Sequence, residues 1–251
     1  MNRAVAVIVA GGSGQRMKSD VRKQYLAFGD RPILAHAVAA FLKCHAVGRI
    51  FLVVPDADIA YCRRRILGLF DGRPAIDLVA GGAERQDSVY NGLKAAQGQG
   101  AVVAIHDGVR PFIRPTLITQ CIAGAEAHGA CMPGVPAVDT LKQVGADGII
   151  EKTLDRSRIW CAQTPQTFRY GLIRAAHEQA REKGILETDD AALLERMGHP
   201  VRMIRGCRFN LKITTPEDLA LAPAVMGILG DATGEKARPG VMISGQRRRP
   251  L

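Results

Sequence analysis

Aromatic residues are scarce in this 251-residue chain, at 5% of the whole with a single Trp. A core must therefore be built from aliphatic side chains, and a surface of interleaved aromatic and basic residues, as stacking on single-stranded nucleic acid requires, has little to draw on. Long apolar runs are also missing. The longest candidate, Ala4 to Ala10, is far short of the roughly 18 residues of a membrane span and breaks into glycines at Gly11. Because it follows Arg3 it invites reading as a secretory leader, but it passes into a Gly-rich stretch carrying Arg16 and Lys18 rather than a small-residue cleavage site. The six cysteines (Cys44, Cys62, Cys121, Cys131, Cys161 and Cys207) include no Cys-x-x-Cys pair. That leaves neither zinc-ligand spacing nor a compact disulfide framework, and a reducing cytoplasm is expected. Acidic residues are outnumbered, 24 against 34 Lys and Arg, for a formal net charge of +10. Such an excess suits nucleic acid, an anionic metabolite or a merely solvated surface, so the location of the charges must decide.

What the chain does have is alternation. Ala4 to Ala10 reads as a fully buried strand, Ile33, Leu34, Ala37, Val38, Phe41 and Leu42 recur at the helical period, and Ile50 to Val54 reads as a second buried strand. The pattern predicts a helix over Ala57–Phe70, a strand over Ile76–Ala80, a helix over Asp87–Ala96 and a strand over Ala101–His106. A helix near Pro115–His128, a short strand at Ala130–Val135, helices near Gly171–Lys183 and Asp189–Met197, and a strand at Val201–Ile204 follow. Repeated strand–helix–strand units mean an α/β fold with a largely parallel sheet. Asp139 to Arg158 is irregular, polar and too long for a simple crossover. Thr215, with Pro216 behind it and Asp218 three residues on, marks a last helix start. Beyond about Pro223 periodicity fades, so residues 1–229 are expected to form one domain and 230–251 a disordered basic tail, too short for a further domain.

The first strand ends in Ala10-Gly11-Gly12-Ser13-Gly14-Gln15-Arg16-Met17. Glycines at the carboxyl end of a parallel strand let backbone N–H groups approach phosphate oxygens. The third glycine of a dinucleotide fingerprint is replaced by Met17, and no Lys-Ser/Thr pair completes a P-loop, which argues against a dehydrogenase or a P-loop NTPase. The glycine turn is followed closely by Arg16, Lys18, Arg22 and Lys23, a cationic loop beside a phosphate cradle.

This loop resembles the start of sugar-nucleotide pyrophosphorylases, and Lys23-Gln24-Tyr25-Leu26 narrows the resemblance to the 2-C-methyl-D-erythritol 4-phosphate cytidylyltransferase family. The resemblance continues through Gly81-Gly82-Ala83-Glu84-Arg85-Gln86-Asp87-Ser88-Val89, His106-Asp107-Gly108-Val109-Arg110-Pro111, Asp139-Thr140, Leu154-Asp155-Arg156, Thr164-Pro165-Gln166, Thr188-Asp189 and Asn210-Leu211-Lys212. Each motif is weak alone, but their order and spacing across residues 4–222 are specific. Gly11 and Ala83 stand where members often have Ala and Asp.

The resemblance implies a three-layer, Rossmann-like nucleotidyltransferase fold with a mostly parallel sheet and a protruding β-arm at about 138–158. The implied reaction joins CTP to a sugar-alcohol phosphate and releases pyrophosphate. An ionised phosphate monoester needs no general base, so such an enzyme must supply charge: Lys, Arg and a divalent cation such as Mg²⁺. Arg16 and Lys23 would hold the triphosphate, and Arg156 and Lys212 would complete the catalytic set around the acceptor. Asp107, at a strand's carboxyl end, would hold the metal through oxygen ligands or else cap the next turn. Ala10, Gly11, Gly12, Gly14, Gly82, Ala83, Arg85 and Ser88 would receive the nucleotide, with backbone groups telling cytosine from uracil. Ser88 also reads as the N-cap of the helix over Asp87–Ala96. Asp107, Arg110, Thr140, Thr164 and Thr188 would contact the acceptor, and His106 would only pack at its strand end. The arm would embrace a second subunit in a homodimer, carrying Thr140 and Arg156 to the partner's site. The competing readings are a ribitol 5-phosphate cytidylyltransferase and, from charge and the Arg247-Arg248-Arg249 run, a basic nucleic-acid-binding module; the expectation is a small-molecule enzyme with neither nucleic-acid nor membrane partners.

Overall fold

The computed structural model describes residues 3–12, 21–70 and 75–231. The chain opens with β1 (Ala4–Val9), then a short hairpin of β2 (Ala27–Phe28) and β3 (Arg31–Pro32). Next come α1 (Ile33–Leu42), β4 (Val47–Val54), α2 (Ile59–Arg65), β5 (Ile76–Ala80), α3 (Arg85–Ala95), β6 (Val102–Asp107), α4 (Pro115–His128) and β7 (Ala130–Pro136). A second hairpin, β8 (Lys142–Val144) and β9 (Ile150–Thr153), precedes β10 (Trp160–Ala162), β11 (Gln166–Arg169), α5 (Tyr170–Glu182), α6 (Asp190–Arg196), β12 (Arg202–Arg205) and α7 (Pro216–Asp231).

β5, β4, β1 and β6 lie side by side and parallel. β11 runs antiparallel between β6 and β7, β10 pairs antiparallel with the end of β7, and β12 is parallel to β7. The chain winds outward from β1 through β4 to β5, then crosses to β6 on the other side of β1. That reversal makes the β1–β6 junction a topological switch point, where open α/β sheets bind ligands beyond the carboxyl ends of their strands. Val9 is in register with Asp107, and Val54 with Ala80. The segments that leave these strands, at Ala10, Gly81 and Gly108, therefore share one edge of the sheet.

Side chains alternate along a strand, so the wholly buried β1 feeds two cores. Ala4, Ala6 and Ile8 pack with Leu34, Val38 and Phe41 of α1 and Ile118 and Ile122 of α4. Val5, Val7 and Val9 pack with Val89 and Leu93 of α3, Ile173 and Ala176 of α5, and Leu193 of α6. Helices on both faces of a sheet make the expected three layers. A third, smaller cluster joins Phe28, Ile33, Val109, Phe112 and Ile213 to Ala222 and Val225 of α7.

Four expectations change. The helix expected over Ala57–Phe70 is broken into a 3₁₀ turn at Asp56–Asp58, α2, and a second 3₁₀ turn at Leu67–Leu69; Gly68 is a poor residue on which to continue a helix. Helix α3 begins at Arg85, two residues early, so Ser88 lies inside it and Glu84 is the N-cap. The cap is closed by the Asp87 carboxylate, whose Oδ2 accepts from the Glu84 N–H at 3.3 Å. Strands β10 and β11 were not anticipated: each is too short for a period to register, and the Pro165 between them, in a cis Thr164–Pro165 bond, reads as a breaker. Helix α7 carries on through Pro223 to Asp231. Proline removes one helical hydrogen bond there, and burial of Ala222 and Val225 in the third cluster offsets that loss. Its start is as expected, with the Asp218 carboxylate accepting from the Thr215 N–H at 2.9 Å and the Asp218 N–H reaching Thr215 Oγ1 at 3.4 Å. The polar stretch at 139–158 holds the hairpin β8–β9, the expected arm. The tail expected after residue 229 lies, from 232 on, outside the described residues.

Candidate active site

A cavity of about 380 Å³ opens at the β1–β6 switch point. Ala10, Gly11 and Gly12 line it from β1, Gly82, Ala83, Arg85 and Ser88 from β5 and α3, and Asp107 from β6, with Lys23 and Lys212 completing it. The Ser88 hydroxyl explains why glycine suits this wall. It accepts from the Gly82 N–H at 3.0 Å and donates to the Glu84 carbonyl at 3.1 Å, folding the loop onto the first turn of α3. A Cβ on Gly82 would lie 2.3 Å from that of Asp87, so no larger residue fits that fold. Lys23 stands on a 3₁₀ turn, Lys23–Tyr25, held from both sides. The buried Gln24 donates from Nε2 to the Ala10 carbonyl at 2.7 Å, and the Tyr25 hydroxyl donates to Asp58 at 2.9 Å.

Asp107 is 6% exposed and is surrounded by three cations: Arg85 Nε at 3.2 Å on Oδ1, and Lys212 Nζ at 3.0 Å and Arg110 Nε at 3.5 Å on Oδ2. Burial pushes its carboxyl up, but the Arg85, Lys212 and Arg110 charges outweigh burial and hold it well below the usual carboxylate range. Lys212 is placed by backbone pairing of Ile213 with Val109 at 2.9 Å and by Asn210, whose carbonyl accepts from Arg110 Nη1 at 2.8 Å. A second cavity of about 460 Å³ adjoins the first through Lys212 and is lined by Arg110, Arg208, Asn210 and the base of the arm from Val135 to Asp139. The arrangement can neutralise a polyanion in one cavity and present a cation, Lys212, to an acidic group in the next.

The remaining acceptor residues are not gathered here. Thr164 lines neither cavity; its Oγ1 accepts from the Asp107 N–H at 3.2 Å and meets His106 Nδ1 at 2.9 Å, so it supports Asp107 from behind. Thr188 and Thr140 are exposed and line neither cavity. Arg156 is exposed on the arm, where its Nη1 donates to the Val138 carbonyl of the same chain. Gly14 and Arg16 lie outside the described residues.

His106 packs as expected and does not face the cavity. Its Nε2 lies 3.1 Å from the Arg110 carbonyl, so that nitrogen carries the proton and Nδ1 accepts from Thr164. Complete burial drives its pKa from 6.5 down to about 4. A depressed histidine favours folding in full above its unfolded pKa and loses that contribution as pH falls toward the folded one. Thermal stability should therefore drop between pH 6.5 and 4, with a slope of up to about 1.4 kcal/mol per pH unit from this residue. Melting curves of His106→Gln should be flatter across that window; His36, also lowered by burial, keeps a residual slope.

A profile for the 2-C-methyl-D-erythritol 4-phosphate cytidylyltransferases matches residues 4–228. The chain belongs to that family. The cytidylyltransferase of Syntrophotalea carbinolica is 51% identical over 90% of this chain and 97% of its own, and that of Geotalea uraniireducens 48% identical over 89% and 97%. Among solved structures, the 4-diphosphocytidyl-2C-methyl-D-erythritol synthase of Anaerococcus prevotii superposes with a TM-score of 0.79 at 32% identity, covering 90% of this chain and 96% of that one. The 2-C-methyl-D-erythritol 4-phosphate cytidylyltransferase of Thermus thermophilus gives a TM-score of 0.72 at 31% identity, covering 89% and 98%. At Gly11 a Cβ would stand 3.3 Å from Ser88 Oγ, a tight approach that the glycine relieves.

Two residues next to this site had no role in the sequence reading. Asp190 and His177 are both buried and hydrogen-bonded to each other at 3.0 Å, and Asp190 also takes Arg85 Nη1 at 2.9 Å. A carboxylate at a helix start reads as a cap, and a histidine on a helix reads as surface or core; nothing in their spacing joins them to Arg85. Asn210 and Gln166 lay within recognised motifs but carried no assignment.

Proposed function

We infer that this protein transfers the cytidylyl group of CTP to 2-C-methyl-D-erythritol 4-phosphate, forming 4-diphosphocytidyl-2-C-methyl-D-erythritol and pyrophosphate. The observation that carries this reading is the pair of cavities joined at Lys212, one with a glycine wall and a cation-ringed carboxylate, the other with Arg110 and Arg208. Family membership supplies the substrates. A phosphate oxygen of the acceptor attacks the α-phosphorus of CTP, the bond to the β-phosphate oxygen breaks, and pyrophosphate leaves with that electron pair. Lys23, with Arg16, would neutralise the triphosphate, and Lys212 would draw the acceptor phosphate to the α-phosphorus, so that catalysis is by placed charge. Backbone groups of Ala10, Gly11, Gly82 and Ala83, which carry no net charge, suit the reading of a neutral base.

We propose Mg²⁺ as the companion of the triphosphate. Among the described residues no three His, Cys, Asp or Glu side chains come together to hold a metal, and Asp107 already faces three cations. This donor set fits an ion carried chiefly by phosphate oxygens, with Asp107 as its protein contact. Bound there, it would supply further neutralisation of the phosphates.

We also propose that the working unit is a homodimer. A two-stranded hairpin is at best marginal alone, yet β8–β9 stands out with Val144, Ile149 and Ile150 exposed, and Val138 and Trp160 exposed at its base. An apolar arm of this kind suits a second copy of the chain. The six unpaired cysteines suit a reducing cytoplasm; among the described residues no helix is long and apolar enough to cross a membrane.

The test is incubation with each nucleoside triphosphate and each polyol phosphate, with Mg²⁺, reading pyrophosphate release. Turnover is expected with CTP and methylerythritol phosphate and should vanish with EDTA. Equal turnover of ribitol 5-phosphate would replace the acceptor assignment, and equal turnover of UTP the nucleotide one.

A further inference from the structure

Two arginines in this chain, Arg31 and Arg49, take a carboxylate with the fork of Nε and Nη2. Arg31 holds Asp30 in this way, through Nε at 3.2 Å and Nη2 at 2.8 Å, and Arg49 holds Asp77 through Nε and through Nη2 at 3.2 Å. The planar guanidinium matches a carboxylate best in that pose. Arg85 divides its guanidinium between two carboxylates instead. Its Nε reaches Asp107 Oδ1 at 3.2 Å, but the hydrogen bond that would complete a fork is absent, and Nη1, on the other side of the plane's axis, is taken by Asp190 Oδ2 at 2.9 Å. Asp107 Oδ2 is thereby left to Lys212, 3.0 Å away, with Arg110 Nε beside it at 3.5 Å.

Asp190 is built in firmly. It is 1% exposed, its Oδ1 faces Nε2 of the fully buried His177 at 3.0 Å, and its backbone N–H donates to Gln166 Oε1 at 2.9 Å. A buried carboxylate is costly, and the neighbouring aliphatic core has no need of one. What it fixes is the direction in which Arg85 points.

We propose that Asp190 is a positioning residue for the cytidylyl-transfer site: by engaging Arg85 Nη1 it prevents Arg85 from closing its fork on Asp107, and so reserves Asp107 Oδ2 to aim Lys212 at the boundary of the two cavities. His177 and Gln166 serve this end by holding Asp190. The importance of Lys212 for turnover rests on the function proposed above; the geometry of Arg85 does not.

The test has two arms. In a ligand-free crystal structure of Asp190→Asn, Arg85 should fork onto both Asp107 oxygens and Lys212 Nζ should leave Oδ2; an unmoved Arg85 overturns the proposal. In steady-state kinetics with CTP and methylerythritol phosphate, Asp190→Asn should lower kcat by roughly 10-fold or more, as a misplacement of about 1 Å can, with KM for CTP changed less than kcat. The loss should disappear in an Arg85→Met background, because Asp190 acts through Arg85. Equal losses in both backgrounds would mean a merely structural role and refute the proposal. If wild-type protein turns over no nucleotide while the fork forms, the proposed function fails and the positioning geometry stands. Should Asp190→Asn not fold, His177→Phe, which loosens Asp190 without deleting it, should shift Arg85 and kcat in the same directions; no shift in either refutes the proposal.

Discussion

Lys23→Ala is expected to lower kcat by about 10²-fold or more, the usual loss when one preorganised charge stabiliser is removed. The turn that carries Lys23 is tied to Ala10 through Gln24 and to Asp58 through Tyr25, so the ammonium is delivered to the cavity by a backbone that does not need to rearrange. A charge held in place in advance stabilises the transition state more than the ground state, because it does not have to be reoriented as negative charge moves onto the leaving pyrophosphate. KM for CTP should rise less than kcat falls. Since neither Gln24 nor Tyr25 is altered, the melting temperature should stay close to that of the wild type. Steady-state kinetics with calorimetric melting checks both, and an unchanged kcat would return Lys23 to the solvated surface.

Much of this fold is legible because its strands are buried on both faces. Ala4 to Ala10 and Ile50 to Val54 are continuous apolar runs of the kind a covered parallel sheet produces, and they lie where β1 and β4 are found. Strand β11 is of another kind. Its sequence, Gln166-Thr167-Phe168-Arg169, is polar at three of four positions, yet the first three are buried because the strand lies between β6 and β7, where Gln166 bonds Asp189 and the start of α6. Local pattern carries no trace of partners that arrive 23 to 25 residues later. Ser88 fails for a related reason: Ser and Asp near a helix start are interchangeable as caps on paper, and only the closeness of Gly82 to α3 draws the serine hydroxyl into the loop instead.

The site shows the same division. Residues that leave the ends of parallel strands, Ala10 to Gly12, Gly82, Ala83 and Asp107, line one cavity because topology alone delivers them to one edge. Arg110 and Lys212 join them through the Asn210 loop. Asp190 and His177 were invisible because their importance is angular. They set which nitrogen of Arg85 faces Asp107, and a sequence records no angles.

Mixing Lys212→Ala with Arg156→Ala should restore activity that neither variant has alone. Lys212 lies beside Asp107, whereas Arg156 lines neither cavity of its own chain and is turned to the Val138 carbonyl at the arm's base. If the arm serves the partner subunit, each homodimer of either variant has two defective sites. A mixed dimer concentrates both defects in one site and leaves the other with an intact Lys212 and an intact Arg156 from the neighbouring chain. With free exchange about half of the dimers are mixed, so recovery should approach about one quarter of the wild-type sites. Were Arg156 to serve its own chain, every site in the mixed dimer would lack one residue or the other, and mixing would recover nothing. Native mass spectrometry to verify exchange, followed by the pyrophosphate assay on the same sample, separates the two. Verified exchange without recovery would bring Arg156 back to its own subunit and leave the exposed Val144, Ile149 and Ile150 of the arm as the argument for a dimer whose two sites work independently.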